Sequence, residues 1–112
     1  MATSRRQQRV NHALQHEISK LLETELNDPR LEGLTVSGVE ISPDLRRARV
    51  FIIAVADAAR EREVRAGLES ATPFLRRELG KRVQLRIVPE LDFRFDRSLD
   101  HGARIEQLLR EH

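Results

Sequence analysis

The sequence predicts an α+β domain in which a three-stranded mixed sheet carries its helices on one face. Apolar residues recur at helical spacing in two long stretches, and shorter apolar stretches between and after them are typical of strands. Two of these strands are joined by a turn, which pairs them antiparallel. The third is reached through a helical crossover, which favours parallel pairing with the second. A chain of 112 residues forms one domain with one modest core.

The composition restricts the possible classes of function. The chain contains no cysteine, so disulfides, thiolate nucleophiles and cysteine-bound metals are impossible. No apolar run approaches membrane-spanning length, and the first residues show no secretory signal, so we expect a cytoplasmic protein that does not bind membranes. The net charge is only +2. Positive charge is nevertheless concentrated in segments, which indicates a polyanionic partner better than the net charge does.

The first helix is predicted over residues 5–26, and Pro29 ends it because proline cannot continue a helix. One face carries an apolar stripe made of Val10, Leu14, Ile18 and Leu21. Because an α-helix turns about 100° per residue, basic residues gather on the opposite face: Arg5, Arg9, His12, His16 and Lys20. The helix therefore has one face for the core and one basic face for solvent or a partner.

Two strands joined by a turn at residues 42–44 follow the first helix. The first strand, residues 34–42, needs a β-bulge at Ser37–Gly38, because the apolar residues before and after that pair are out of phase. The second strand, residues 48–56, is almost continuously apolar, which is typical of a central strand buried on both faces or nearly so. Arg46 and Arg47 lie between the turn and the second strand.

The central helical stretch contains a proline. Asp57 is a candidate N-cap, and apolar residues recur at helical spacing on both sides of Pro73. Because proline lacks an N–H and crowds the carbonyl four residues earlier, we expect a kink. A second helix would begin with Thr72 as N-cap and end at Gly80. Basic residues follow the kink: Arg76, Arg77, Lys81 and Arg82.

The chain after the central helix is predicted to complete the sheet. Residues 83–88 form an apolar strand, Pro89–Glu90 interrupts it, and residues 91–96 continue it with strict alternation. A short last helix would carry Ile105, Leu108 and Leu109 on its apolar side.

Two pairs of residues could form binding sites, and each has a simpler interpretation that we favour. His12 and His16 are four residues apart, a spacing that can bind zinc, but no third ligand is suitably placed, so we expect a solvated or RNA-facing pair. Phe93 and Phe95 alternate on a strand and could stack bases. A face of leucine and phenylalanine is more often core, and we expect the two rings to lie there.

No residues indicate catalysis. Asp92, Asp96 and Asp100 could be paired carboxylates for acid–base chemistry, but Arg94 and Arg97 stand among them, which favours ionised, solvated side chains. The sequence shows no phosphate-binding glycine loop, no Rossmann glycine pattern and no nucleophile with a base. We therefore interpret the chain as a binding protein without a cofactor or bound metal, and not as an enzyme.

Several stretches, in the same order, carry a family resemblance across nearly the whole chain. They are the arginine-rich start of the first helix with its exit at residues 26–30, the hairpin at residues 39–48, the proline-containing segment at residues 71–79, and residues 88–96. The last stretch is the most specific. Together they resemble the ribosome-binding factor A family, bacterial maturation factors of the small ribosomal subunit.

The resemblance implies a fold and a function that composition and periodicity do not show. The fold would be a type II KH-like domain in which an Ala-x-Gly kink replaces the usual glycine-rich loop, with Ala71 and Pro73 at the alanine and glycine positions. The function would be binding of the 30S subunit at its 16S rRNA, with assistance in late maturation, in rRNA end processing and in cold adaptation. Some family members have long C-terminal tails, and we expect the functions of such a tail to be missing.

We expect RNA to bind where the basic segments converge around the kink. The candidate residues are Arg5, Arg6, Arg9, Arg46, Arg47, Ala71, Pro73, Arg76, Arg77, Lys81 and Arg82. We expect a monomer, with disorder at about residues 1–4 and 110–112. The alternative is a small α+β module that senses a ligand or binds a protein and does not bind RNA. Salt dependence separates the two, because contacts to phosphates release counterions.

Overall fold

A computed structural model describes residues 3–53 and 57–96. Its elements, in chain order, are α1 (Arg5–Thr24), a short 3-10 helix (Pro29–Leu31), β1 (Thr35–Ile41), β2 (Arg47–Ile53), α2 (Ala58–Arg82) and β3 (Glu90–Asp96). The strand order in the sheet is β1-β2-β3. β2 pairs antiparallel with β1 and parallel with β3. The predicted three-stranded mixed sheet and its connections are confirmed, and the predicted last helix lies outside the described residues.

Helix α1 is stabilised by the burial of its apolar stripe and by hydrogen bonds that cap its first turn. Val10, Leu14, Ile18 and Leu21 are buried, as the spacing predicts. Ser4, one of the residues for which we expected disorder, is the N-cap and forms a reciprocal capping box with the third helical residue. The helix ends at Thr24, two residues before the predicted end.

The bulge predicted in β1 is confirmed. The pairing of β1 with β2 shifts register between Val36 and Gly38. Ser37, between them, is the extra residue of the bulge and has no partner in the β2 register. The bulge restores the alternation of the strand, so that Val36, Val39 and Ile41 are all buried.

Only one face of β2 is fully buried, whereas the prediction was burial on both faces or nearly so. Ala48, Val50 and Ile52 are buried, whereas Arg47 and Arg49 are exposed and the remaining residues are half-buried. The apolar run was misleading because its outward residues remain partly in contact with solvent. In the part of the chain that the structure describes, the helices therefore cover a single face of the sheet.

Helix α2 is continuous through Pro73, so the prediction of a second helix beginning at Thr72 is wrong. Thr72 Oγ1 donates a hydrogen bond back to the Leu68 carbonyl, at 2.7 Å, and does not cap a following turn. An unbroken apolar stripe runs along the helix and is buried: Val64, Leu68, Ala71, Leu75 and Leu79. Pro73 itself is exposed and lies outside that stripe. Burial of each large side chain contributes about 1.5–3 kcal/mol, and together these contributions outweigh the cost of one proline in the helix, about 3 kcal/mol.

Gly80 lies inside α2, and the prediction that it ends the helix is also wrong. A Cβ atom at this position would come within 3.1 Å of Val88 Cγ2. The absence of a side chain at Gly80 thus permits the close approach of the chain that follows the helix.

Residues 83–88 form an irregular connection, and the strand predicted there is wrong. Val83, Leu85 and Val88 pack against the core, which explains the apolar pattern without a strand. The position beside β2 is occupied by β3, whose pairing begins with Glu90 opposite Arg47. We call residues 83–89 the crossover loop. Within residues 3–53 and 57–96, no helix has the length and apolar character needed to cross a membrane.

Candidate nucleic-acid interface

Three arginines from distant parts of the sequence line one groove of about 290 Å³. Arg6 comes from α1, Arg46 from the hairpin turn and Arg86 from the crossover loop. Apolar and turn residues complete the lining, and we call the whole set the arginine groove: Arg6, Pro43, Asp44, Leu45, Arg46, Leu85, Arg86 and Ile87. Two of its three arginines are predicted RNA-binding residues. Arg86 was not among the predicted RNA-binding residues, because residues 83–88 were predicted to form a strand of the sheet.

The hairpin turn that carries Arg46 has a well-defined hydrogen-bond network. Asp44 Oδ1 accepts hydrogen bonds from Ser42 Oγ, at 2.6 Å, and from the Arg46 backbone N–H, at 3.1 Å. These two bonds, with that from Ser42 the larger cause, lower the pKa of Asp44. Leu45 has a φ of 63°, a left-handed conformation that is uncommon for a residue with a side chain. The network stabilises a turn that brings Arg46 beside the groove.

Helix α1 is attached to the end of β1 just before this turn. Gln7 Nε2 donates to the Ile41 carbonyl at 3.2 Å, and the Ile41 N–H donates to Asn11 Oδ1 at 2.7 Å. Both bonds hold the first turns of α1 against the hairpin, which places Arg6 near Arg46. The outer face of α1 is basic and open to solvent as predicted, and it carries Arg5, Arg9, His12, His16 and Lys20.

The last two basic residues of α2, Lys81 and Arg82, form ion pairs with glutamates of the protein. The Arg82 guanidinium lies 3.5–3.6 Å from carboxylate oxygens of Glu17, Glu25 and Glu78, and its side chain is only 26% exposed. Lys81 forms an ion pair with Glu78 at 3.1 Å. The hydrogen bond from Lys81 is the main reason why the pKa of Glu78 is lowered. Arg82 therefore connects α2 to α1, and its charge is already compensated.

Arg76 holds the crossover loop. Its Nη2 donates to the Val88 carbonyl at 3.0 Å, and its Nε donates to the Pro89 carbonyl at 3.2 Å. Arg76 is half-buried. Its guanidinium thus fixes the position of the backbone that leads from the loop into β3.

The other predicted site residues differ in their access to solvent. Arg77 is exposed, and its guanidinium lies 5.9 Å from the centroid of the Phe74 ring. Pro73 is exposed on α2, whereas Ala71 is 8% exposed and lies in the core. Arg47 forms an exposed ion pair with Glu90 at 3.6 Å.

The aromatic residues of β3 face the core. Phe93 and Phe95 lie opposite Val50 and Ile52 in the parallel pairing and pack against the buried cluster. This placement supports the core interpretation over a base-stacking platform. A cleft of about 170 Å³ lies between α2 and β3, where the Arg65 guanidinium is 5.0 Å from the Phe95 ring centroid.

The acidic residues of β3 are paired. Arg94 binds the Asp92 carboxylate with two nitrogens at 3.0–3.2 Å. This hydrogen bonding lowers the pKa of Asp92 and raises that of Arg94. Asp96 accepts a hydrogen bond from Ser37 Oγ at 2.8 Å. An ionised, arginine-paired Asp92 agrees with the expectation of a solvated acidic cluster, and Asp100 lies outside the described residues.

The family comparison covers almost the whole chain. The family described as ribosome-binding factor A matches residues 6–109. The chain belongs to the ribosome-binding factor A family. A ribosome-binding factor A from Halothermothrix orenii is 42% identical over 106 residues, which cover 95% of this chain and 87% of the relative. The resemblance to this family is thereby confirmed.

Solved structures of ribosome-binding factor A share the fold. A crystal structure from Thermus thermophilus matches with a TM-score of 0.69 and 31% identity, covering 79% of this chain and 93% of that chain. A homology model of the Thermus thermophilus factor, fitted into a cryo-EM map of a complex with the 30S subunit, matches with a TM-score of 0.62 and 30% identity. It covers 86% of this chain and 97% of that chain. The predicted KH-like α+β fold is confirmed.

Proposed function

We propose that this protein is a non-catalytic assembly factor that binds the 30S ribosomal subunit at its 16S rRNA. It acts in the cytoplasm as a monomer and assists late maturation and rRNA end processing, including at low temperature. The observation that carries the proposal is family membership over residues 6–109, together with a structural relative placed in a complex with the 30S subunit.

The surface of the protein supports RNA as the partner. Exposed arginines lie along α1 and around the hairpin turn, and arginine can bind a phosphate with two parallel hydrogen bonds. We propose Arg5, Arg6, Arg9, Arg46 and Arg77 as direct contacts. Arg47, Lys81 and Pro73 would lie at the margin of the surface. Arg76, Arg82 and Ala71 would act through the structure of the domain, because their side chains are engaged or buried within it.

Co-sedimentation with purified subunits tests the binding. We expect the protein to sediment with 30S subunits and not with 50S subunits, and its affinity to fall steeply as salt is raised. A protein that remains in the supernatant at low salt, or that binds with no dependence on salt, would contradict the proposal and favour the protein-binding alternative.

A complementation experiment tests the role in maturation. In a bacterium that lacks its own ribosome-binding factor A, we expect this chain to restore growth in the cold and to lower the fraction of 16S rRNA with unprocessed ends. The empty vector is the control. Normal 30S binding without either effect would remove maturation and cold adaptation from the proposed function.

A further inference from the structure

We propose that the arginine groove binds a single-stranded stretch of rRNA, with Arg6, Arg46 and Arg86 on its phosphates and Ile87 against a base. The inference rests on the proposed function and deepens it, because it assigns the RNA contact to one groove between three elements. It also moves the centre of the site from the region around Pro73, where the sequence placed it, to the crossover loop.

The charge of the groove is available to a ligand. Within residues 3–53 and 57–96, the side chains of Arg6, Arg46 and Arg86 form no ion pair and donate no hydrogen bond. Arg82 and Arg94, in contrast, have carboxylate partners. The groove contains one carboxylate, that of Asp44, and the positive charge of Arg46 is among the causes that lower its pKa. Three guanidiniums against this one carboxylate leave the groove with a net positive charge.

The apolar part of the groove distinguishes single-stranded RNA from a duplex. Ile87 is 53% exposed and is the large hydrophobic residue that stands out at the surface of the described chain. Leu45 and Leu85 lie beside it and are half-buried. Phosphates of a duplex would use the arginines and leave Ile87 uncovered. An unpaired nucleotide offers a phosphate and the face of a base together.

The groove is organised before any ligand binds. Arg76 holds the crossover loop at its Val88 and Pro89 carbonyls. The Glu90 N–H donates to the Arg46 carbonyl at 2.9 Å, which connects the end of that loop to the hairpin. Because the three walls are already held together, binding orders little of the backbone, and more of the interaction energy contributes to affinity.

Replacing one groove arginine at a time with alanine tests the groove, because each substitution removes a single positive charge. We expect each of Arg6→Ala, Arg46→Ala and Arg86→Ala to weaken 30S binding roughly tenfold, the effect of losing one charged hydrogen-bonded contact. Each should also reduce the slope of log Kd against log salt by about 0.7, the contribution of one single-strand phosphate contact. Arg62→Ala is the matched control, because Arg62 is exposed on α2, away from the groove, and its removal changes the net charge equally. Thermal melts of all four variants check that each one is folded.

The outcomes separate the inference from the proposed function. If the unaltered protein does not bind 30S subunits, the proposed function fails and the inference fails with it. If the unaltered protein binds and the groove variants bind as Arg62→Ala does, the proposed function stands and the groove assignment alone is overturned.

A cross-linking experiment identifies the class of molecule in the groove, because an acidic protein segment would also match three arginines. Ile87→p-benzoylphenylalanine places a photoreactive group at the groove, and the complex with 30S subunits is irradiated. An adduct with 16S rRNA that ribonuclease releases supports the inference. An adduct with a ribosomal protein, or the absence of any adduct with 16S rRNA, overturns it.

Discussion

At the scale of single residues, arginines of similar sequence context have different roles because their partners differ. Arg76 and Arg77 are neighbours on α2, yet Arg76 binds two backbone carbonyls of the crossover loop and Arg77 lies exposed beside Phe74. The sequence offers no signal for this difference, because it depends on where the chain passes after the helix.

Removing Arg76 should weaken subunit binding through the crossover loop. We expect Arg76→Ala to cost about 1–3 kcal/mol of unfolding free energy, because two carbonyls lose their partner, and to lower 30S affinity. In a double-mutant cycle, the loss of affinity should be smaller in an Arg86→Ala background, because Arg76 acts by positioning Arg86 and Ile87. Arg77→Ala serves as the control for stability. Fully additive losses of affinity would instead indicate that Arg76 contacts RNA directly.

Phe93 should behave as a core residue. We expect Phe93→Ala to lower the unfolding free energy by about 3 kcal/mol, the lower end of the range for a core phenylalanine, because its ring is only half-buried. Urea unfolding measures the change. A variant that keeps its stability but loses RNA affinity would support the stacking platform that the structure disfavours.

At the scale of elements, patterns within one strand were predictable and choices that depend on tertiary packing were not. The phase change around Ser37–Gly38 predicted the bulge, and the turn and crossover predicted the strand order. The apolar residues at 83–88 were mistaken for a strand, because packing beneath a loop and packing in a sheet bury similar residues. The same error hid Arg86, the groove arginine that the sequence-based candidates lack.

Pro73 is the clearest case in which packing overrides a local signal. Local chemistry predicts a break, but the buried stripe from Val64 to Leu79 continues through it. We expect Pro73→Ala to raise the unfolding free energy by up to about 3 kcal/mol, because alanine restores the missing N–H and is the best helix former. Pro73→Gly should gain about 1 kcal/mol less. A loss of stability in Pro73→Ala, measured in urea, would show that the packing depends on the proline.

Binding by the same variants tests whether the proline has a function. We predict that Pro73→Gly binds 30S subunits as the unaltered protein does, whereas Pro73→Ala binds more weakly if a departure from a straight helix matters. Equal affinities for all three proteins would exclude a functional kink.

At the scale of the whole molecule, the distribution of charge matters more than its sum. A net charge of +2 gives little general attraction to polyanions. Arg82 is surrounded by glutamates between α1 and α2, whereas the groove arginines and the outer face of α1 remain open to a partner. The protein should therefore bind its partner in one orientation, with the hairpin turn and the first turns of α1 towards the RNA.

A cryo-EM map of this protein on the 30S subunit, at a resolution that shows side chains, tests that orientation most directly. The account predicts 16S rRNA density against Arg6, Arg46 and Arg86, with an unpaired nucleotide at Ile87 and with Arg82 still among its glutamates. A map in which the arginine groove faces solvent, while the end of α2 or the uncovered face of the sheet contacts the rRNA, would contradict it.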